Sequence, residues 1–376
     1  MTPTSHQPLT PHLSHPTSHT PLVLSHPTSR TPLITRPLVT RPLLQGALRK
    51  AGTDQWTLTS FLDYRGTKEF VLEAPPEPHS KFVQVDPSAA RGLINFMISI
   101  GFQSKRLGIL YGKWTTDADG SCGVEVHAVY EPMQESSAET IQLLDDEQGE
   151  ARIAALAAML GLSRVGVMIA HPAREYAFSV DEIRLAAKLH QAALVVEPEK
   201  ALGFVTMKAR PVLQHEEIEG VATMEAYQLT DQCIALCEAD AFVESASDPR
   251  VAKTSNKECV FLVEKRPQRK ATMESFITRV FDIGRPFNSF LGTGFVIENR
   301  STEPQNGERM AQYLRSRRSR KEPFLTSVSD LHLLFFLCNM LDMAVDMPVL
   351  CSRVVMQQGD ELDGFRMMIN CYAGID

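Results

Sequence analysis

The sequence predicts an α/β domain followed by a mostly helical C-terminal domain, with a disordered N-terminal tail in front of both. Three observations carry this. Residues 1–44 repeat a Pro-, Thr-, Ser- and His-rich motif without a single Asp or Glu. From residue 81 to residue 300, apolar runs of strand length alternate with stretches of helical period. From residue 301 to residue 376 the period is helical. Of 376 residues, 43% are hydrophobic and 22% charged, which is enough apolar material for packed cores.

In the tail, "PTSHQPL", "PTSHTPL" and "PTSRTPL" recur and "TRPLVTRPLL" follows. Prolines at this density remove backbone donors and forbid helix, so no packed structure is expected. The acid-free, Arg-containing composition hints at a transit peptide, but the prolines prevent the amphipathic helix that such a peptide needs. We expect an unstructured tail or a misassigned start. Residues 45–80 read as a mixed, partly ordered lead-in.

The elements then follow in order. "PSAARGLINFMISIGF" sets Ala90, Leu93, Ile94 and Met97 at helical spacing. "LGILYGKW" (107–114) and "GVEVHAVYEP" (123–132) read as strands around the turn "TTDADGS", the second with Val124, Val126 and Ala128 facing inward. His127 then shares the outward face with Glu125, a solvated position. "EARIAALAAMLGL" (150–162) is a helix closed by Gly161, "RVGVMIAH" a buried strand, and "SVDEIRLAAKLHQAAL" (179–194) a helix capped by Ser179. "ALGFVTMKARPV" and "GVATMEAYQLTDQCIALCEADAF" continue the strand and strand–helix rhythm. A polar helix over 303–320 and an apolar one over 330–343, capped by Ser329 and Asp330, close the chain.

Charge and cysteine usage exclude some classes. The formal net charge is -7; without the tail's three arginines, 35 bases face 45 acids. No nucleic-acid partner is expected of such a balance. The cysteines, seven in number, are scattered, and Cys233 and Cys237 share a helix face rather than a zinc knuckle. We read them as reduced thiols in a reducing compartment. "LHLLFFLCNML" (331–341) is shorter than the about 20 residues that a bilayer requires, so no membrane insertion is expected.

The stretch "IAHPAREYAFSVDE", Ile169 to Glu182, resembles the zinc-binding stretch of an MPN-type (JAMM-like) metalloprotease. Those enzymes carry His-x-His-Pro, a Ser and an Asp, with an upstream catalytic Glu. Two histidines and the Asp hold zinc, and the Glu takes a proton from its water. Aligned on His171-Pro172, the first histidine's place is Ile169. Counted from Ser179, the Asp's place is Glu182, with Asp181 one residue early. The catalytic Glu's place, three residues before Gly108, is Lys105. One histidine and a displaced carboxylate build no catalytic tetrahedron, and a cation where the base should stand opposes both metal binding and proton abstraction. We therefore expect an inactive MPN-type domain: no metal, no cofactor, no enzymatic activity. The enzymatic rival, a metal-dependent deubiquitinase, would have to recruit other groups, such as His127 or His190.

Several blocks together resemble the nuclear protein localization protein 4 family. "LGILYGKW" is similar to that family's strand ending in LYG plus a basic and an aromatic residue. "GVEVHAVYEPMQ" is similar to its IYEPPQ strand, with Met133 in place of the second proline. "EAYQLTDQC" (225–233), "FVIENR" (295–300) and "SVSDLHLLFFL" (327–337) follow in order, and "DEIRLAAKLHQ" resembles a helix of the plant-like form. The resemblance implies an MPN-like domain at 81–300 and a C-terminal helical domain at 301–376. It implies a non-catalytic substrate adaptor that binds ubiquitin and polyubiquitin chains. Such an adaptor serves a AAA ATPase of the valosin-containing-protein type in extracting proteins for proteasomal degradation, including endoplasmic-reticulum-associated degradation. It implies a ubiquitin-fusion-degradation adaptor as partner, and a place in cytoplasm and nucleus or at the cytosolic face of the endoplasmic reticulum. The family's ubiquitin-like domain has no counterpart in residues 1–44, so contact with the ATPase is expected through the partner adaptor. An inactive scaffold subunit of another complex is a further alternative.

The ubiquitin-binding candidates are Tyr111, Trp114, Tyr130, Glu131, Pro132 and Gln134, at or just past strand ends. For Tyr111 and Tyr130 the alternative is a core position, and for Glu131, Pro132 and Gln134 a turn. "RSRRSRK" (315–321) reads as a solvated helix end, with nuclear import or anion binding as alternatives. "EKRPQRK" (264–270) reads as an exposed loop, "GTG" (292–294) as a turn, and "SDLH" (329–332) as a helix cap rather than a triad.

Overall fold

A computed structural model describes residues 57, 59, 65, 66 and 68–375, apart from 215, 216 and 286. The expected tail at 1–44 and most of the lead-in lie outside the described residues.

The described chain opens with β1 (Glu69–Leu72) and β2 (Phe82–Val85). Asp86 then caps α1 (Pro87–Ser99): its carboxylate accepts the Ser88 and Ala89 N–H groups, and Pro87 stands where the helix needs no donor. β3 (Arg106–Thr116) and β4 (Cys122–Tyr130) form a long hairpin, and β5 (Gln134–Ser136) with β6 (Ile141–Leu143) a short one. α2 (Glu147–Met159) is closed by Gly161 at φ +65°, the left-handed conformation that favours glycine. β7 (Ser163–Ala170) leads to α3 (Val180–Val196), which starts on a capping box between Ser179 and Glu182.

β8 (Val205–Gln214), β9 (Glu217–Leu229) and α4 (Asp231–Glu238) come next. The short strands β10 (Phe242–Ser245), β11 (Asp248–Thr254), β12 (Val260–Val263), β13 (Arg266–Gln268) and β14 (Lys270–Thr272) precede β15 (Ile277–Val280). The expected loop at 264–270 is thus a tight turn on Glu264 and Lys265 followed by two short strands, exposed as expected at 266–268. The C-terminal region is helical: α5 (Gly307–Ser319), α6 (Phe324–Val328), α7 (Leu331–Leu337), α8 (Asp346–Met356) and α9 (Asp363–Ala373). α7 is shorter than the expected 330–343, and Asp330 caps it.

The main sheet has seven strands in the order β15-β9-β8-β7-β3-β4-β2, with β7–β8 and β2–β4 parallel and the other pairs antiparallel. The parallel step from β7 to β8 crosses over through α3. α1 covers one face, with Leu93 and Met97 packed among Val83, Leu110, Val126 and Met168. α2 and α3 cover the other, with Ile153, Leu156 and Ile183 among Leu107, Ile109, Tyr130 and Val167. The C-terminal helices join this second core: Met310, Leu314, Leu333 and Val354 belong to the same cluster of buried side chains.

One expectation about β4 is corrected. Val124 and Val126 face α1, but Ala128 and Tyr130 face α2 and α3. Tyr111 pairs with Ala128 and the next residue, Gly112, with Val126, so His127 is an extra residue, a β-bulge that flips the alternation. On the other side, Leu110 pairs with Gly166 and Tyr111 with Arg164, leaving Val165 as a second extra residue. Gly112 is required here, because a Cβ would stand 1.9 Å from the Glu125 carbonyl oxygen. His127 is consequently not solvated. It is buried between the rings of Phe287 and Phe290, with Nδ1 at 2.9 Å from the Ser289 hydroxyl. Burial, helped by the Lys113 charge, lowers its pKa to about 4.

Candidate functional site

At the C-terminal end of β7, the positions that match zinc ligands meet a different arrangement. Ile169 is fully buried in the core beneath α3. His171 is equally buried; its Nδ1 lies 2.7 Å from the Pro172 carbonyl oxygen, and its Nε2 has no hydrogen-bond partner. Burial first, and the Arg174 charge second, lower its pKa to about 4, so it is neutral at physiological pH.

Glu182 is 3% exposed and engaged on both oxygens, which settles what it can bind. Lys105 places its ammonium 2.7 Å from Oε1, and Arg174 forms a fork, 2.8 Å to Oε1 and 2.6 Å to Oε2. Oε2 also accepts the Ser179 N–H at 2.8 Å, closing the capping box. The Lys105 ammonium donates to the Glu139 carbonyl oxygen as well, at 2.5 Å. Burial would raise the Glu182 pKa, but the hydrogen bonds and charges of Arg174 and Lys105 outweigh it and hold the carboxylate below its usual range.

The residues present do not fit zinc. An aliphatic chain fills one ligand place, and the displaced carboxylate has its lone pairs committed to two cations. Among the described residues, no group of three His, Cys, Asp or Glu side chains stands in a metal-holding arrangement. His190, the other recruit considered, turns Nε2 to the Ala201 carbonyl oxygen at 2.7 Å and stacks on Phe204. Arg174 completes this cluster. The sequence reading missed it, since nothing in the local pattern marks an arginine eight residues before a helical Glu as its partner.

A second buried polar cluster joins the three blocks "YEP", "ENR" and "SDLH". Glu131 is fully buried and accepts Arg106 Nε at 2.8 Å, while Arg300 grips its other oxygen. Asn299 donates to the Glu131 carbonyl oxygen at 2.9 Å, and the Glu131 N–H donates to Glu298 Oε1 at 2.9 Å. Glu298 Oε2 stands 2.7 Å from His332 Nδ1, at the start of α7. Burial would lower the His332 pKa; the Glu298 carboxylate outweighs it and raises it to about 9. Asp330 caps α7 with one oxygen and with the other accepts the N–H groups of Gly294 and Phe295 at 2.6 and 2.9 Å. The "GTG" turn is therefore clamped onto the helical region, and "SDLH" supplies a cap and a buried ion pair together.

The six ubiquitin-binding candidates fall around this cluster. Tyr111, Tyr130, Glu131 and Pro132 are buried, and Tyr130 packs edge-on against Phe335 of α7. Gln134 is half-buried and bridges like a strand neighbour: Oε1 accepts the Leu107 N–H and Nε2 donates to the Leu107 carbonyl, both at 2.8 Å. Trp114, also half-buried, donates its indole N–H to Glu197 at 3.3 Å. Their side chains hold the strand ends in place rather than offering an open face.

The open surface lies beside them. A groove of about 710 Å3 runs between α1 and residues 293–303. Arg91 and Asn95 are exposed along its rim. Phe96 forms its floor with the Arg300 guanidinium 4.4 Å above the ring. Arg300 thus serves both the groove and the buried Glu131.

Known proteins resemble this chain over most of its length. Residues 106–175, from the start of β3 past His171, match the model of the NPL4 family. A nuclear protein localization protein 4 homolog of Dictyostelium discoideum is 29% identical over 316 residues, which is 83% of this chain and 51% of that protein. NPL4-like protein 1 of Arabidopsis thaliana is 29% identical over 304 residues, 78% of this chain and 68% of its own length. An NPL4-like protein of Oryza sativa subsp. japonica is 31% identical over 293 residues, 73% of this chain and 64% of its own. The chain spans between about half and two thirds of the length of these relatives. By the matched segment and these relatives, the chain is similar to proteins of the NPL4 family over most of its length.

Proposed function

We propose that this protein is a non-catalytic ubiquitin-binding substrate adaptor on an inactive MPN-type domain. In this reading it works with a ubiquitin-fusion-degradation adaptor and a AAA ATPase of the valosin-containing-protein type. Its task is to extract ubiquitinated proteins for proteasomal degradation, including from the endoplasmic reticulum, and its place is cytoplasm and nucleus. The observation that carries the proposal is the closure of the would-be metal place by Lys105 and Arg174 on Glu182. A site so filled offers neither an open coordination position nor a base for water. The groove along α1 supports the binding half of the reading, since it combines an aromatic floor with exposed polar rims. We assign the ubiquitin contact to this groove, with Tyr130, Glu131 and Pro132 shaping it from behind.

The test is to incubate the full chain with tetra-ubiquitin of the proteasome-targeting linkage, with added zinc, and to follow both retention and cleavage over hours. Intact, retained chains are expected, and Asn95→Trp, which fills the groove from an exposed position, should weaken retention by about tenfold. Chains cut to monomers, with cutting abolished by a chelator, would overturn the reading in favour of a metal-dependent deubiquitinase. Absence of both retention and cutting, with the ubiquitin-fusion-degradation adaptor present, would point to a scaffold subunit of another complex.

A further inference from the structure

We propose that the cleft between α5, α6 and α9 docks an acidic linear segment of a partner protein that carries a large apolar side chain among its carboxylates. The cleft encloses about 510 Å3 and has two kinds of wall. Arg318, Lys321 and Arg366 supply the cationic side, and Phe324, Met367 and Ile375 the apolar side. Met367 is 72% exposed, a large apolar side chain left facing water. Lys321 forms no ion pair among the described residues, and Arg366 has only the exposed neighbour Asp363, at 2.8 Å.

The acid in the lining does not cancel this charge. Glu322 is held by Arg317 at 2.5 Å and by Arg320 at 3.3 Å, outside the trio that faces the cleft. In a chain of net charge -7, Lys321 and Arg366 give this cleft a local excess of positive charge, which selects a carboxylate-bearing partner and steers its approach. The apolar wall adds a demand that a phosphate backbone does not meet, namely a side chain to cover Phe324 and Met367. The run "RSRRSRK" is therefore divided in use. Arg317 turns inward, over the Tyr313 ring and onto Glu322, while Arg318 and Lys321 line the cleft.

The test uses the full chain and a short fluorescein-labelled peptide of Glu and Leu, read by fluorescence anisotropy. Lys321→Glu with Arg366→Glu is expected to weaken binding by about tenfold, and Met367→Ser by a smaller factor. All three positions are exposed, so far-UV circular dichroism and the melting temperature should match the parent's and show that the variants fold. Failure of the parent to bind the Glu–Leu peptide, or equal binding by the double variant, would overturn the proposal. So would equal binding of a Glu–Ser peptide or of a single-stranded oligonucleotide, which would leave a surface that reads charge alone. These variants leave the α1 groove untouched, so such a failure is separate from the fate of the ubiquitin reading.

Discussion

Two buried ionic clusters stand side by side at one end of the same sheet and behave differently. Around Glu182, one carboxylate meets two cations, Lys105 and Arg174, and the histidine beside them is neutral. Around Glu131 and Glu298, carboxylates meet Arg106, Arg300 and a histidine held charged. The first is local, with Arg174 and Glu182 in one β7–α3 connection and Lys105 brought in at the start of β3. The second stitches "YEP", "ENR" and "SDLH" together, from strand end to helical region. The difference teaches that buried charge serves two ends here: it closes a strand-to-helix connection, and it fastens one layer to the next. It also means that one cluster should ignore mildly alkaline pH and the other should not.

Breaking the first cluster should have the largest effect. Glu182→Ala leaves Lys105 and Arg174 buried against each other, and a loss of about 3–5 kcal/mol is expected in urea unfolding at neutral pH. A loss below about 1 kcal/mol would mean that the pair is solvated and the comparison false.

The second cluster is sharpened by pH. His332 has its folded-state pKa raised from 6.5 to about 9, so its contribution is complete below pH 6.5 and is lost as pH rises through 9. The stability should fall by on the order of 3 kcal/mol over that window. His332→Gln should abolish this alkaline slope while Glu182→Ala leaves it in place. On the acid side the sign reverses: His127, His171 and His190 have pKa values lowered to about 4, so the unfolded chain takes up protons first. Their contribution is therefore lost as pH falls from 6.5 to 4, and His332→Gln should keep that slope. Chemical denaturation across the pH series reads both.

The smallest effect belongs to an edge of the structure. Trp114→Phe removes the indole bond to Glu197 at a half-buried site, and a loss of about 1 kcal/mol is expected with unchanged pH slopes. A larger loss would place Trp114 among the buried anchors.

Much of the fold was legible, and the reasons are local. Ser179 before the helix it caps, Asp330 before the apolar helix and Gly161 after an apolar-periodic run each act within one turn of helix, so their sequence neighbours suffice. The bulge at His127 carries no such mark; its trace is on the next strand, at Gly112, where only the pairing reveals the need. The candidate site was half legible. The resemblance to the MPN-type zinc stretch marked Lys105, Ile169, His171, Ser179 and Glu182 as places, and the structure brings Lys105, Ser179 and Glu182 into one cluster. The partners of buried charges were not legible, because an ion pair between Glu298 and His332 or between Arg106 and Glu131 depends on which strand ends meet. The same holds for Tyr111 and Tyr130, for which a core position stood as the alternative, since an aromatic at a strand end reads alike whether a helix covers it or water does.

The paired extra residues, His127 on β4 and Val165 on β7, act like compensating frameshifts written in space. Each displaces its own strand by one position against β3, at adjacent steps, so the outer strands return to phase with each other. Removing either would leave the pairs on both sides of it in place, since Ala128 and Val126, like Gly166 and Arg164, already face consecutive residues of β3; the slip would be erased and every apolar side chain would keep its layer.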